Sequence, residues 1–483
     1  MIRSVARRHV HMSWMVAGAC VGIVGGVALA REASFFMSLG WLLAGVGMIL
    51  TAVFGGRGWL VAVVVCGGML VGLWRGSLVQ ADLVMYESVI GTTRTVEGVV
   101  SEDVDTNDRG QAVLRLHNIR IDGEVFTGSI WVTTNDKGDM RRSDRVAVEG
   151  KLNDGFGSFA ASMYAVHVTR IERPEPGDIA LEIRDYFATG VRKAISDTEA
   201  SLGLGYLVGQ RRGLPEELDT ALQAAGLTHI VVASGYNLTI LVRLARRLFE
   251  KISKYLSLLA SSGMIVSFIA ITGMSPSMSR AGLVAGLSLL AWYYGRRFHP
   301  LVLLPFAMAI TLLVQPSYAW GDLGWQLSFA AFGGVMILTP LFQVYFFGDK
   351  PEKPLRRIFI ETMAASLATL PILLGSFGQF SIIAPLANIL ILPLVPLAML
   401  LTFIAGIGGL MFPGLALLIG FPAQALLSYM TTTAQFMGNL PWAMQEFQLP
   451  VIGVIGAYLA ITAACVAMHR ATKYDLRHTS LVE

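Results

Sequence analysis

The chain returns again and again to apolar runs long enough to cross a bilayer, and this property limits what it can fold into. A hydrocarbon core about 30 Å thick takes about 20 apolar residues as a helix. An unsatisfied peptide group inside it costs several kcal/mol, so spanning segments must be helices and polar side chains at depth must face protein or water. Composition agrees: 54% of the 483 residues are hydrophobic and 14% are charged, against about 25% charged in an ordinary soluble chain. The fold class that follows is a polytopic α-helical membrane protein of about twelve transmembrane or re-entrant helices. Cys20, Cys66 and Cys465 lie in apolar runs without metal-ligand spacing and are expected to be buried small hydrophobes. No metal or cofactor is expected.

Residues 1–80 form the first membrane block. Arg3, Arg7 and Arg8 precede MVAGACVGIVGGVALA, and ALA before Arg31 also matches a signal-peptidase site, so retention and cleavage both stand. Two more runs, Phe35 to Phe54 and Trp59 to Leu73, follow. With a retained first helix the positive-inside rule puts the N-terminus in the cytoplasm. On either alternative the chain is outside near residue 80.

Residues 92–172 change character. TVEGVVSED, AVLRLHNIRID, EVFTGSIWVTT and RVAVEGKL alternate apolar and polar positions, with DTNDRG, IDGE and TNDKGD as turns. This predicts five to six short strands of a small extracytoplasmic β-barrel, OB-like in layout, with a sandwich as the alternative. The segment carries ten Lys and Arg against thirteen Asp and Glu, a net of −3, so the rest of the chain carries +7 and the sum is the formal +4. A net-negative barrel lacks the basic footprint that phosphate-backbone binding requires.

Residues 177–200 predict an interfacial amphipathic helix, with Ile179, Ile183, Phe187 and Val191 on one face and Arg184, Arg192 and Lys193 available to headgroups. Residues 201–225, with the RRGLPEEL turn, predict a re-entrant or surface element. Crossings near 226, 255, 279, 300, 323, 357, 381, 414 and 448 complete a membrane domain over 201–470. They leave RRLFEKISK, GRRFH, DKPEKPLRR and a 471–483 tail on one side, the cytoplasm.

Four polar clusters interrupt this apolar domain: Leu227 to Thr239, SPSMSRAGL from 275, QPSYAWGDLGWQLSF from 315 and APLANILILPL from 384. In order, they contain Gly226, Leu227, His229, Ser234 and Gly235; Ser277, Arg280 and Ala281; Pro316, Asp322, Gly324, Trp325, Gln326, Leu327, Ser328 and Phe329; and Pro385, Asn388 and Pro393. On these motifs residues 200–470 resemble the ComEC family of competence proteins, and the layout of 1–172 is similar to that family's N-terminal part. The resemblance implies an inner-membrane channel that passes single-stranded DNA into the cytoplasm during natural transformation. The clusters, with Asn237, would line or shape its path.

Two departures stand out. Tyr236 and Asn237 occupy the place where the family often has a second histidine. No His-x-His-x-Asp-His cluster of the metallo-β-lactamase-like domain found in many members occurs. No GxxxxGK[ST] loop occurs either, so the chain is not expected to be an enzyme. A separate DNA receptor, nuclease and cytoplasmic ATPase motor are the expected partners, beside membrane lipid.

Each candidate also has a plainer role. His229 falls on a stripe with Tyr236 and Arg243 if the helix is continuous; if Ser234 and Gly235 break it, half-helix ends point into a cavity. It could equally make a structural hydrogen bond. Arg280 needs an anionic partner such as Asp322, Glu361 or a phosphate, or it snorkels to headgroups. Asp322 caps the LGWQLSFAAF helix or faces a pore, and Gln326 and Ser328 share that helix. Pro385, Asn388 and Pro393 form a kink or re-entrant turn. Trp292, Tyr293, Tyr294 and Trp320 suit interfacial belts. The rival functions are a secondary transporter or small-solute channel, and a membrane scaffold whose barrel binds envelope proteins.

Overall fold

A computed structural model describes residues 11–474, apart from 33, 56–57, 108, 137, 211–212, 232–233, 274, 296–298 and 349–352. Arg3, Arg7 and Arg8, Arg211 and Arg212 of RRGLPEEL, residues 296–298 of GRRFH, residues 349–352 of DKPEKPLRR, and residues 475–483 of the tail lie outside the described residues. The chain divides into two compact units, one of residues 1–177 with 298–326 and the other of 178–297 with 327–483.

The first unit opens with helices α1 (Met12–Leu29), α2 (Leu39–Gly55) and α3 (Leu60–Val84). Hydrocarbon offers no hydrophobic drive for helix association, so close van der Waals approach must supply it, and small residues four apart make it possible. Both α1 and α3 carry such residues. A Cβ on Gly22 would lie 2.2 Å from the Val65 carbonyl oxygen, one on Gly26 2.2 Å from that of Met69, and one on Gly72 2.2 Å from that of Ile23. On Gly68 it would lie 2.1 Å from the Ala19 oxygen. Only hydrogen fits along this seam.

Strands β1 (Thr93–Val100), β2 (Asp105–Thr106), β3 (Ala112–Ile121), β4 (Glu124–Phe126), β5 (Ile130–Thr134), β6 (Arg145–Asp154) and β7 (Ala161–Glu172) make one seven-stranded sheet. Its long strands pair in the circuit β1-β6-β7-β5-β3, and β3 pairs back to β1, so the sheet closes into a barrel. Every pairing is antiparallel except β5 with β7. The alternation in sequence sends Val96, Leu114, Leu116, Val132, Val148 and Met163 inward, each with no accessible surface. Asp122 and Gly123 turn β3 into β4 with φ of 52° and 89°, the left-handed pair that a tight two-residue hairpin needs. The strand count exceeds the expectation because β2 and β4 are short extra pairings on β3.

The second unit begins with α4 (Ile179–Ala194), α5 (Asp197–Val208), α6 (Glu216–Ala224), α7 (Thr228–Val231), α8 (Gly235–Glu250), α9 (Lys254–Thr272) and α10 (Pro276–Tyr293). The first unit then contributes α11 (Pro300–Val314) and the start of α12 (Leu323–Gly333). After a π-helical turn at Gly334–Leu338 come α13 (Thr339–Phe347), α14 (Pro354–Ser376), α15 (Ala384–Ile391), α16 (Val395–Met411), α17 (Ala416–Gly438) and α18 (Val451–Thr472). Two expectations change here. Every residue from Ala200 to Val208 is buried, so α5 lies in the core of this unit, which removes the surface alternative and leaves the re-entrant one. In α4, Arg184 is buried and pairs with Asp185 at 3.3 Å, while Ile179 and Ile183 are exposed, so Arg184 does not reach headgroups. The cause is again glycine: a Cβ on Gly409 of α16 would lie 2.0 Å from the Gly190 carbonyl oxygen, and this contact fixes the face α4 turns inward.

Among the described residues, eight helices are long and apolar enough to cross a membrane, and Leu39–Gly55 and Leu301–Val314 are shorter apolar helices. The crossings expected near 226 and 279 are not among the eight, because the first is interrupted at Ser234 and the second, α10, carries Arg280 among serines and glycines. Of the cysteines, Cys20 is buried, Cys465 is half-buried and Cys66 is exposed, since α3 turns its glycines rather than Cys66 to the seam. Trp320, read as suiting an interfacial belt, donates from Nε1 to the Val27 carbonyl at 2.8 Å inside the first unit.

Gly68→Val or Gly72→Val should cost at least the roughly 1–3 kcal/mol of ordinary overpacking. Gly25→Ala, where nothing lies within 4 Å of the new Cβ, should cost little. Thermal unfolding of the purified full chain checks this, and equal melting of Gly72→Val and wild type would remove the seam as a determinant of packing.

Candidate functional site

The first polar cluster does break its helix. Ser234 has φ −125° and ψ 162°, extended backbone, and α8 starts only after it. His229 therefore sits in the four-residue α7, exposed, and shares no helical stripe with Tyr236 and Arg243. Asn237, in the first turn of α8, is fully buried and donates from Nδ2 to the Tyr206 carbonyl oxygen at 3.0 Å and to that of Ile230 at 3.5 Å. A side-chain amide thus ties the broken helix to the buried α5.

The second and fourth clusters, and Leu327 to Phe329 of the third, belong to the second unit with this break. Gly235 approaches Ala281 of α10 so closely that a Cβ would lie 3.2 Å from the alanine methyl. One residue earlier, Arg280 is 3% exposed, and its guanidinium lies 5.8 Å from the ring centre of Phe329 in α12. That burial removes the snorkelling role. Ser277 lies at the start of α10, with its Oγ 3.2 Å from that of Ser275. Ser328, beside Phe329, is half-buried. The fourth cluster is a second interruption: Pro385 starts α15, and a 3₁₀ turn at Leu392–Leu394 separates it from α16. The Tyr236 hydroxyl donates to the Leu392 carbonyl at 3.4 Å, and a Cβ on Gly226 would lie 2.5 Å from that of Ala384. Two interrupted helices therefore touch.

Polar atoms are left over at this junction. Ser234 Oγ, Asn237 Oδ1, Ser381 Oγ and Asn388 Oδ1 are enclosed and have no hydrogen-bond partner among the described residues. Buried polar atoms are almost always satisfied by protein or water, so a group of exceptions points to water or a ligand.

Asp322 and Gln326 belong to the first unit. Asp322 accepts the Trp325 backbone N–H at 2.5 Å on Oδ1 and the Ser158 hydroxyl at 3.1 Å on Oδ2, so it caps α12 and holds a barrel loop. Gly321 meets the same loop, where a Cβ would lie 3.0 Å from Gly157 Cα. Gln326 is half-buried one turn along. Glu361, another proposed partner of Arg280, instead accepts from Arg357 Nε at 2.8 Å. On the barrel, Arg115 holds Glu102 at 3.1 Å and Asp105 at 3.4 Å and stacks 5.2 Å over Trp131. Lost hydration pushes the Glu102 carboxyl above its ordinary range, and Arg115 only partly offsets this.

Sequence reasoning missed the Tyr206 carbonyl and Leu392, because both act through backbone oxygens that any residue type supplies.

These features define a polytopic helical membrane protein with an inserted β-barrel and a polar junction where broken helices meet. The chain belongs to the competence protein family, whose model matches residues 206–471. It is 26% identical over 231 residues to ComE operon protein 3 of Bacillus subtilis (strain 168), an alignment covering 47% of this chain and 29% of that protein. It is 22% identical over 286 residues to an uncharacterized protein of Aquifex aeolicus (strain VF5), covering 57% of this chain and 65% of that one. The chain thus spans less than two thirds of each of these relatives. No solved structure matches.

Asn237→Leu strands the Tyr206 carbonyl and should cost about 1–3 kcal/mol. Asp322→Ala should cost about 0.5–2 kcal/mol as a lost cap, and Asp322→Asn, which keeps an acceptor, less. Both read out as melting of the purified protein; an Asp322→Ala melt identical to wild type would show that the cap carries no stability.

Proposed function

We propose that this chain is an inner-membrane channel that carries single-stranded DNA into the cytoplasm during natural transformation. The observation that carries the reading is the meeting of the first, second and fourth motif clusters at the break in the second unit, where two interrupted helices touch and enclosed polar atoms are left over. Broken helices at membrane depth are tolerated only where they are buried in protein or line a water-filled cavity. Membership of the competence protein family supports DNA as the substrate class.

The barrel, as an OB-type domain, stands outside the membrane in this reading, with the N- and C-termini in the cytoplasm. The glycine seam between α1 and α3 supports a first helix that is retained rather than cleaved. The chain contains no P-loop, so the pull on the strand comes from a cytoplasmic ATPase. A receptor delivers the strand and a separate nuclease degrades its complement. The chain itself is not an enzyme, and the purified protein should neither cut DNA nor hydrolyse ATP.

Arg280 is the sharpest test. Arg280→Ala should abolish uptake of labelled DNA at normal membrane abundance, and Arg280→Lys should rescue only in part, because an ammonium cannot make the bidentate contacts of a guanidinium. Transformation frequency normalised to protein level decides; full activity in the alanine variant removes Arg280 from the path. For topology, Arg109→Cys in a Cys66→Ser background should react with an impermeant maleimide in intact cells. Protection until lysis would place the barrel on the other side.

A further inference from the structure

A second charged feature lies away from the junction, where α8 ends, α9 begins and α10 ends. Arg246 of α8 lies 5.5 Å over the Trp292 ring of α10, and Lys254 of α9 lies 5.6 Å from the same ring and 5.3 Å from that of Tyr293. Half-buried Arg243 stands within electrostatic reach of Arg246, Arg247 and Arg357, with Glu361 as the opposing charge. Glu361 is already engaged by Arg357, and exposed Glu250 ends α8. The Arg243 Nε is enclosed and has no acceptor among the described residues. Several guanidiniums held together against mutual repulsion suit a multivalent anion that takes more than one fork of donors.

The surface beside this cluster identifies the anion's carrier. Leu244 and Leu248 on α8 are 46% and 60% exposed, and Ile252, Leu256 and Leu259 in the following turn and α9 are 71%, 38% and 51% exposed. Apolar side chains thus flank a cationic, aromatic patch. Trp and Tyr favour the membrane–water boundary, and basic pockets between helices at that level bind anionic headgroups. We propose that this corner of the second unit is a binding site for an anionic phospholipid. Arg243, Arg246, Arg247 and Arg357 surround the headgroup phosphate, and the leucines on α8 and α9 take the acyl chains. The site is independent of the DNA-channel reading.

The test uses the purified full chain in phosphatidylcholine nanodiscs titrated with phosphatidylglycerol, with binding followed by native mass spectrometry and by melting temperature. Phosphatidylglycerol should bind in preference to added phosphatidylcholine and raise the melting temperature. A basic side chain near the surface contributes about 1 kcal/mol to such binding, so exposed Arg247→Gln should weaken it roughly fivefold and Arg243→Gln with Arg247→Gln roughly thirtyfold. Arg243→Lys, which keeps the charge, should retain most of the preference and guards against misfolding. Equal binding of the two lipids by wild type overturns the proposal. So does an undiminished preference in the double variant. A third overturning result is a short single-stranded oligonucleotide whose binding is lost in the double variant while that of phosphatidylglycerol is not, which would assign the arginines to nucleic acid.

Discussion

Helices in hydrocarbon gain little by hiding apolar side chains from one another, because lipid tails are as apolar as leucine. What remains is contact at the shortest range, and here glycine makes it possible in both units. Along the α1–α3 seam four glycines each face a carbonyl oxygen of the opposite helix. In the second unit Gly409 faces the Gly190 oxygen, Gly420 faces that of Ala194 and Gly438 faces that of Ala221, with added Cβ distances of 2.0, 2.0 and 2.2 Å. Backbones this close also permit Cα–H···O contacts. Whatever faces remain for other tasks are left by these approaches, as Arg184 and Cys66 illustrate.

Within that scaffold the broken segments are the costly part. Interrupting α7 from α8 and α15 from α16 frees backbone groups that a continuous helix would satisfy. Some are recovered by side chains: Asn237 serves two carbonyls, and Tyr236 serves a third at the opposite break. Four enclosed side-chain atoms there, Ser234 Oγ, Asn237 Oδ1, Ser381 Oγ and Asn388 Oδ1, have no partner within the described residues. A buried arginine beside the break adds a cost of about 2.5–3.5 kcal/mol on insertion scales, offset in part by the Phe329 ring beneath Arg280. Such expense concentrated at one place is the pattern of a functional site.

Much of this was legible from the residues. Period-two alternation marked the segments that became β1, β3, β4 with β5, and β6, though not β7, and the order of polar motifs marked the family, because both are written in side-chain type. The choice at Ser234 between a continuous and a broken helix stayed open, since Ser-Gly is compatible with either and only the packing of Asn237 against Tyr206 decides it. Arg184, expected at the headgroups, was misplaced for a related reason: the charge pattern gave no sign that Gly190 would bring α4 against α16 and enclose it. The small-residue spacing of α1 and α3 was present in the sequence and is the signal that would have found the seam.

Ser158 and Gly157 in the barrel grip Asp322 and Gly321 at the head of α12. Within the first unit the barrel is thus fastened to the head of a helix that follows it by some 150 residues, as well as to its chain neighbour α3. A domain moored at a distant point in this way cannot swing freely on its linkers. A pull applied to its loops is delivered to the first turn of α12, so within the first unit the barrel acts as a handle on that turn rather than as a tethered appendage.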